Sequence, residues 1–506
     1  KHLKNVVNNK ICPTCKGQRL NSKILSSKIM SKNISDFTQM TIKENLEFLN
    51  KLEDPTAKYI IDPLKKQLEA LEYIGLSYLT LNRVTTTLSG GEAQRLKLIR
   101  HLNSSLSDLV YIIDEPSVGL HPEDIAKINE ILKSLKDKGN TVLIVEHDPD
   151  VIKEGDYIID MGPGSGKNGG EITFEGTYNE LLSSNTSTGN ALRHKHNLKE
   201  NIREANHFYN IGPVTQNNLN NVKTSIPKHV LTVLTGVAGS GKSTLVKAGF
   251  ENNDHTIFID QKAVQGSNRS NLLTYLGVFD SVRSFFSKET GLNKAMFSYN
   301  SKGACPNCGG KGYIKTELAF MGDFSQTCEV CHGKRYKQEV LDATIDGYSI
   351  ADVLDLTVDE GIIFFDKKND IKSKLQSVSK TGLNYMSLGQ PLSTLSGGEI
   401  QRVKLAQHLD EEIKNSIFIF DEPTTGLHES DIPILMECFD DLIDQNNTVI
   451  LIEHNLSIMC EADWIIDVGP GPGLDGGKVQ FSGTPKNFID SSETLTSKHL
   501  KRYINQ

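Results

Sequence analysis

The sequence predicts an α/β chain built from two tandem copies of one module, the first copy incomplete. Three observations predict it. Leu88-Ser89-Gly90-Gly91-Glu92-Ala93-Gln94-Arg95 recurs as Leu395-Ser396-Gly397-Gly398-Glu399-Ile400-Gln401-Arg402. Each copy then reaches Asp-Glu-Pro and later Glu-His, and the pairs Leu88/Leu395, Asp114/Asp421 and His147/His454 are all 307 positions apart. An offset this long marks a duplicated domain, because solenoid repeats recur every 20–50 residues or so. Finally, the runs Leu109–Ile113, Val142–Val145, Ile417–Phe420 and Val449–Ile452 are short, apolar and rich in β-branched residues. They read as buried parallel strands, and a helical pattern follows each Leu-Ser-Gly-Gly, so helices flank a mostly parallel sheet.

The elements follow in order. Residues 1–185 read as the C-terminal part of the first copy, 186–206 as a polar linker with some helix, and 207–506 as the second copy. Gly/Pro-rich turns, Gly162 to Gly166 and Gly469 to Gly473, close the two copies in parallel positions. Gly236-Val237-Ala238-Gly239-Ser240-Gly241-Lys242-Ser243 fits the phosphate-loop pattern, between the strand candidate Val230–Leu234 and the helix candidate Ser243–Phe250. Its counterpart 307 residues earlier would lie upstream of Lys1, so the chain is expected to be the C-terminal part of a longer protein.

Composition bounds the class. The chain has 506 residues, with 37% hydrophobic and 23% charged, which suits globular domains. No apolar run of about 18 residues predicts a membrane span. The net charge of −8 means that any nucleic-acid surface must be a local basic patch. Six of the eight cysteines form Cys-x-x-Cys pairs, which points to metal or redox chemistry over a disulfide framework. Cys438 and Cys460 stand alone and read as small buried apolar residues.

A triphosphate needs many oriented donors. Gly236, Gly239 and Gly241 let backbone N–H groups turn inward, with Ser240 and Thr244 beside them. Lys242 is expected at the β- and γ-phosphates and Ser243 at Mg²⁺. Asp421 ends a strand, where it can help hold Mg²⁺, and Glu422 beside it can polarise the attacking water. Asp114 and Glu115 repeat the pair, and His147 and His454 follow the next strand within reach of a γ-phosphate. Ser89, Gly90 and Gly91, and likewise Ser396, Gly397 and Gly398, open helices whose N-termini suit an approaching anion. Duplication at one offset weighs against reading these as isolated turns or generic caps.

Cys305/Cys308 and Cys328/Cys331 are two close pairs at the separation of a zinc module, with Gly310 and Gly333 permitting tight turns. A redox pair, free thiols or a chaperone-type cysteine–glycine module are the other readings; the last leaves the nucleotide motifs unexplained. Cys12 and Cys15 make half a site. Lys302, Lys311, Lys334 and Arg335 cluster around the module, with Tyr299, Tyr313 and Tyr336 nearby in sequence. The cluster is a candidate phosphate contact; the plain alternative is a solvated zinc-ribbon surface.

Together these are signature, Walker B and switch-histidine motifs of ABC-type ATPases, in which the signature of one cassette completes the ATP site of the other. With a Cys₄ module between phosphate loop and signature, the chain resembles the UvrA family. Further matching segments are Asp260-Gln261, Asn268-Arg269-Ser270-Asn271, Phe297-Ser298-Tyr299-Asn300 and Leu388-Gly389-Gln390-Pro391. The resemblance implies two tandem ABC-type cassettes, the first incomplete, with the zinc insertion at about 295–340 and the signature region at about 262–400 of the second. It implies ATP, Mg²⁺ and Zn²⁺ as cofactors, and Gln261 as the residue sensing Mg²⁺ and the γ-phosphate. It also implies a cytoplasmic homodimer that binds damaged duplex DNA in nucleotide excision repair and loads a UvrB-type helicase. Lys262-Ala263-Val264-Gln265-Gly266 departs from the family's usual Pro-Ile-Gly, and the stretches after Ser243 and Phe285 are short. The Gly-Val-Ala-Gly of the loop suits a shorter UvrA-like paralogue linked to drug tolerance. Transporter subunits and ribosome-acting tandem ATPases fit less well, because they lack this zinc module.

Overall fold

The computed structural model describes residues 10–505 apart from 89, 103–105, 165, 195–196, 252, 263–269, 319–321, 410 and 412. In the first copy, helices Ile42–Asn50, Lys58–Tyr73, Gly90–Leu102 and Pro122–Asp137 pack around Ile42, Leu46, Leu68, Leu98, Ile125 and Leu132. Local signals start these helices. Thr41 and Glu44 close a capping box ahead of the first, and Pro122 sits in the first turn of the last.

Strands β1 (Val110–Asp114) and β2 (Thr141–Val145) pair in parallel; β3 (Ile158–Gly162) and β4 (Glu171–Gly176) pair antiparallel. The expectation of buried strands is corrected here. Side chains alternate across a pleated strand, and in this copy one face stays open: Ile112 is 75% exposed, Leu143 50% and Val145 51%. Among the described residues no strand joins the β1–β2 pair to the β3–β4 pair.

The second copy opens with the antiparallel pair β5 (Phe208–Gln216) and β6 (Leu219–Pro227). Then come β7 (Leu231–Thr235) and β8 (Thr256–Ile259). A hairpin of β9 (Tyr313–Leu318) and β10 (Gly322–Thr327) follows, and a short one of β11 (Thr344–Ile345) and β12 (Tyr348–Ser349). The chain returns through β13 (Ile417–Asp421), β14 (Thr448–Ile452), β15 (Trp464–Gly469) and β16 (Lys478–Gly483). These form a six-stranded sheet in the order β16-β15-β7-β14-β13-β8. All neighbours are parallel except β15 and β16. Here the apolar runs are buried on both faces, as a covered parallel sheet requires.

Because β7, β13 and β14 run in parallel side by side, the loops at their C-terminal ends converge. Those loops carry Gly236–Ser243, Asp421–Glu422 and Glu453–His454. Ligands of open α/β sheets bind at this edge. A separate helical region from Leu272 to Ala406 has its own core, including Phe286, Phe297, Tyr299, Tyr336 and Val403 of the second signature helix, Gly397–Leu409. Among the described residues no helix is long and apolar enough to cross a membrane.

Candidate functional site

The phosphate loop joins β7 to the helix Lys242–Phe250. Gly236 and Gly241 have φ of 128° and 105°, in the region that favours glycine. A methyl on Gly236 would lie 1.9 Å from the Val468 carbonyl oxygen, so the loop passes too close to β15 for any side chain there. Buried Lys242 donates to the carbonyls of Gly236 (2.8 Å) and Val237 (3.0 Å). Its burial, partly offset by Glu422 and Asp421, lowers its pKa to about 8. Ser240 Oγ is buried without a hydrogen-bond partner, and Thr244 Oγ1 accepts from Asn217. A glycine cradle, a buried lysine and an orphaned hydroxyl at a helix N-terminus are the donor set that a polyphosphate satisfies.

Ser243 Oγ donates to Asp421 Oδ1 at 3.3 Å, which brings together two oxygens suited to Mg²⁺. Gln261 Nε2 donates to Thr425 Oγ1 at 2.9 Å and to the Glu422 carbonyl at 3.3 Å. Glu422 takes a left-handed backbone (φ 53°), and so does Glu115 (φ 44°). That conformation costs a non-glycine residue roughly 1–2 kcal/mol, and its occurrence at both sites shows that each turn over-determines the glutamate's direction. Burial, then Asp421 and Glu453, push the Glu422 carboxyl up to about 7.

Glu453 braces this corner. It accepts the Thr424 N–H at 3.0 Å, the Thr424 hydroxyl, and the His454 N–H at 2.7 Å. Glu146 repeats the brace on Ser117 and His147. His454 is buried, which holds its pKa well below the usual range, and its Nδ1 has no hydrogen-bond partner. His147 instead lies 3.6 Å from Glu115 Oε1, which raises its pKa. Asp114, at the end of β1, is exposed.

The two copies meet head to tail across these corners. Tyr78 of the first copy, held by its hydroxyl on Glu92 (2.6 Å), covers the phosphate loop: a methyl on Gly239 would meet its ring at 2.9 Å. A methyl on Gly119 would meet Glu422 Oε2 at 2.8 Å, and the His121 ring lies 5.9 Å from the His454 ring. The reciprocal contacts recur. Tyr385, hydrogen-bonded to Glu399, covers Gly166, and His428 meets His147 with ring centroids 6.2 Å apart. A cavity of about 170 Å³ between the copies is lined by Glu115, His147, Glu422, Glu453 and His454.

Gly90 and Gly91 begin the first signature helix; Ser89 lies outside the described residues. In the second signature, the Ser396 N–H donates to Glu399, and Gly397 lies close to Gln261. Gly398 packs too tightly on the Thr425 carbonyl for a side chain. Tyr78, Tyr385, His121 and His428 were missed by motif reading, although each tyrosine and each histidine repeats at the 307-residue offset.

Cys305, Cys308, Cys328 and Cys331 are buried with their sulfurs all within 4.8 Å of one another. The Cys308–Cys331 separation is 3.7 Å, close to the edge of about 3.8 Å for a tetrahedron with metal–sulfur bonds of about 2.3 Å. The Gly312 N–H donates to Cys308 and the Asn307 amide to Cys328. The Cys331 N–H first, then Asn307, pull the Cys328 thiol down to about 6. The four side chains could therefore hold a thiolate-seeking ion. Cys12 and Cys15 lie outside this group, the one such cluster among the described residues. Lys302 and Lys311 are exposed near the cysteines; Lys334 pairs with Asp352 at 3.0 Å; Arg335 lies over the Tyr299 ring at 5.4 Å. Two of the three nearby tyrosines are no surface platform: Tyr299 and Tyr336 are each 1% exposed, in the core beneath the module.

Known proteins resemble this chain closely. Residues 219–425 match the family model described as "ABC transporter". UvrABC system protein A of Clostridium perfringens is 43% identical over 97% of this chain and 57% of its own length. The Bacillus subtilis protein of that name is 41% identical over 99% of this chain and 57% of its own. The solved structure of UvrA2 from Deinococcus radiodurans superimposes with a TM-score of 0.91 at 37% identity, covering 97% of this chain and 66% of that one. The chain thus spans less than two thirds of the length of these relatives. The phosphate loop, the paired Asp-Glu corners and the four-cysteine cluster fall within likenesses that run through nearly every residue, and the chain belongs to the UvrA family of ABC-type ATPases.

Proposed function

We propose that this chain binds and hydrolyses ATP at a site shared between its two copies, and uses it to regulate binding to distorted duplex DNA in excision repair. The observation that carries the reading is the cross-copy closure of the second-copy corner. Tyr78, Gly119 and His121 of the first copy lie against Gly239, Glu422 and His454 of the second. Lys242 and the loop amides would take the phosphates, Ser243 and Asp421 would hold Mg²⁺, Gln261 would sense it, and Glu422 would orient the attacking water. His454 Nδ1 is buried without a hydrogen-bond partner, which leaves a ring nitrogen for a group entering the site. Cys305, Cys308, Cys328 and Cys331 would hold one structural Zn²⁺. Residues 1–185, 186–206 and 207–506 serve as working boundaries of first copy, linker and second copy. The family likeness supports, as part of this reading, a homodimer that delivers DNA to a UvrB-type helicase. The alternative, a UvrA-like paralogue in drug tolerance, shares the fold; direct binding to UvrB separates the two.

DNA binding tests the basic patch. Lys311→Ala and Lys334→Ala should each weaken duplex binding and reduce the slope of log K against log salt by roughly one. Unchanged affinity and slope in folded protein would assign the lysines to an ordinary solvated surface.

A further inference from the structure

We propose that His121 of the first copy is a positioning residue of the second copy's ATP site, acting through a hydrogen-bonded chain from His121 to Thr496 to Asp467. The inference rests on the ATP-site reading above. His121 is completely buried. Its Nδ1 accepts the Glu123 backbone N–H at 3.2 Å, so that nitrogen carries no proton. The ring proton therefore sits on Nε2 and is donated to Thr496 Oγ1 at 3.0 Å. The Thr496 hydroxyl in turn donates to Asp467 Oδ1 at 3.3 Å. Asp467 lies on β15 against the start of the phosphate loop, where a methyl on Gly236 would come within 3.1 Å of its Oδ1. The same imidazole meets His454 edge-on, at an interplanar angle of 90°. One neutral ring from the first copy thus meets the switch histidine directly and reaches the underside of the loop through Thr496 and Asp467. Burial, with His499 and Lys242 nearby, lowers its pKa to about 3, which agrees with the tautomer set by the hydrogen bonds.

The arrangement occurs twice. His428 Nδ1 accepts the Ser430 N–H at 3.2 Å, and its Nε2 lies 3.1 Å from Thr188 Oγ1. Thr188 donates to Asp160 at 2.7 Å, and His428 faces His147. His121/His428 and Asp160/Asp467 keep the 307-residue offset, whereas Thr188 and Thr496 are 308 apart. The chain of bonds has survived a shift in the sequence that carries it, which a fortuitous packing contact would not require.

Three substitutions separate packing from hydrogen bonding. His121→Phe keeps a ring against His454 and removes the donor; Thr496→Val removes the bridging hydroxyl at constant shape; His121→Gln restores an amide donor. In the full chain, His121→Phe and Thr496→Val should each lower kcat for ATP roughly 10-fold, as expected when a site loses its alignment. The Kd for ATP should change far less. The double variant should be no worse than either single one, since both cut one chain of bonds, and His121→Gln should recover part of the rate. Unchanged kcat in folded Thr496→Val, or losses that multiply in the double variant, would overturn the proposal. If the unmodified chain binds no ATP, the ATP-site reading itself falls, a result distinct from either.

Discussion

Glu422→Gln is expected to leave ATP bound and to slow its hydrolysis by about 10²-fold or more. The substitution keeps the side chain's shape, and the groups that would hold the triphosphate are untouched: Lys242 stays on the loop carbonyls and Ser243 on Asp421. What is lost is a carboxylate whose direction is fixed by its left-handed backbone and whose pKa, raised to about 7, suits a base at neutral pH. Glu115→Gln is the matched control. Glu115 has the same backbone conformation, but the one phosphate-loop motif in this sequence lies in the second copy. Its hydrolysis rate should stay close to that of the unmodified chain. Equal losses in both variants, with folding intact, would refute a single hydrolytic site.

Cys328→Ala should remove the metal and loosen the module around it. The parent chain is expected to carry one Zn²⁺, the variant none by metal analysis. Binding free energy at structural zinc sites, on the order of 10–16 kcal/mol, is largely folding free energy. Here the four buried sulfurs adjoin a core that includes Tyr299 and Tyr336, with the Cys305 N–H bonded to the Arg335 carbonyl. Loss of metal should therefore lower the melting temperature of the helical region and increase proteolysis within the strands Tyr313–Leu318 and Gly322–Thr327. Retention of zinc by the variant would exclude the four-cysteine site.

The parallel strands and flanking helices were legible because three landmarks repeat at a fixed offset and each has a local physical signature. The cysteine cluster was legible for a different reason: the spacing of the two Cys-x-x-Cys pairs alone limits where four thiols can meet. Contacts between copies were not. Nothing near Tyr78 in the sequence announces Gly239, and nothing near His121 announces Thr496; such pairs exist only once two modules are docked. Exposure was equally hidden. Tyr299 and Tyr336 sit among lysines in sequence yet are buried, and β1 and β2 have the apolar runs of covered strands yet expose Ile112 and Leu143.

Counting bound nucleotide tests the shared-site account most directly. Equilibrium dialysis of the chain with a non-hydrolysable ATP analogue should give one nucleotide per chain, lost in Lys242→Ala. Two nucleotides per chain, or one that survives Lys242→Ala, would contradict it.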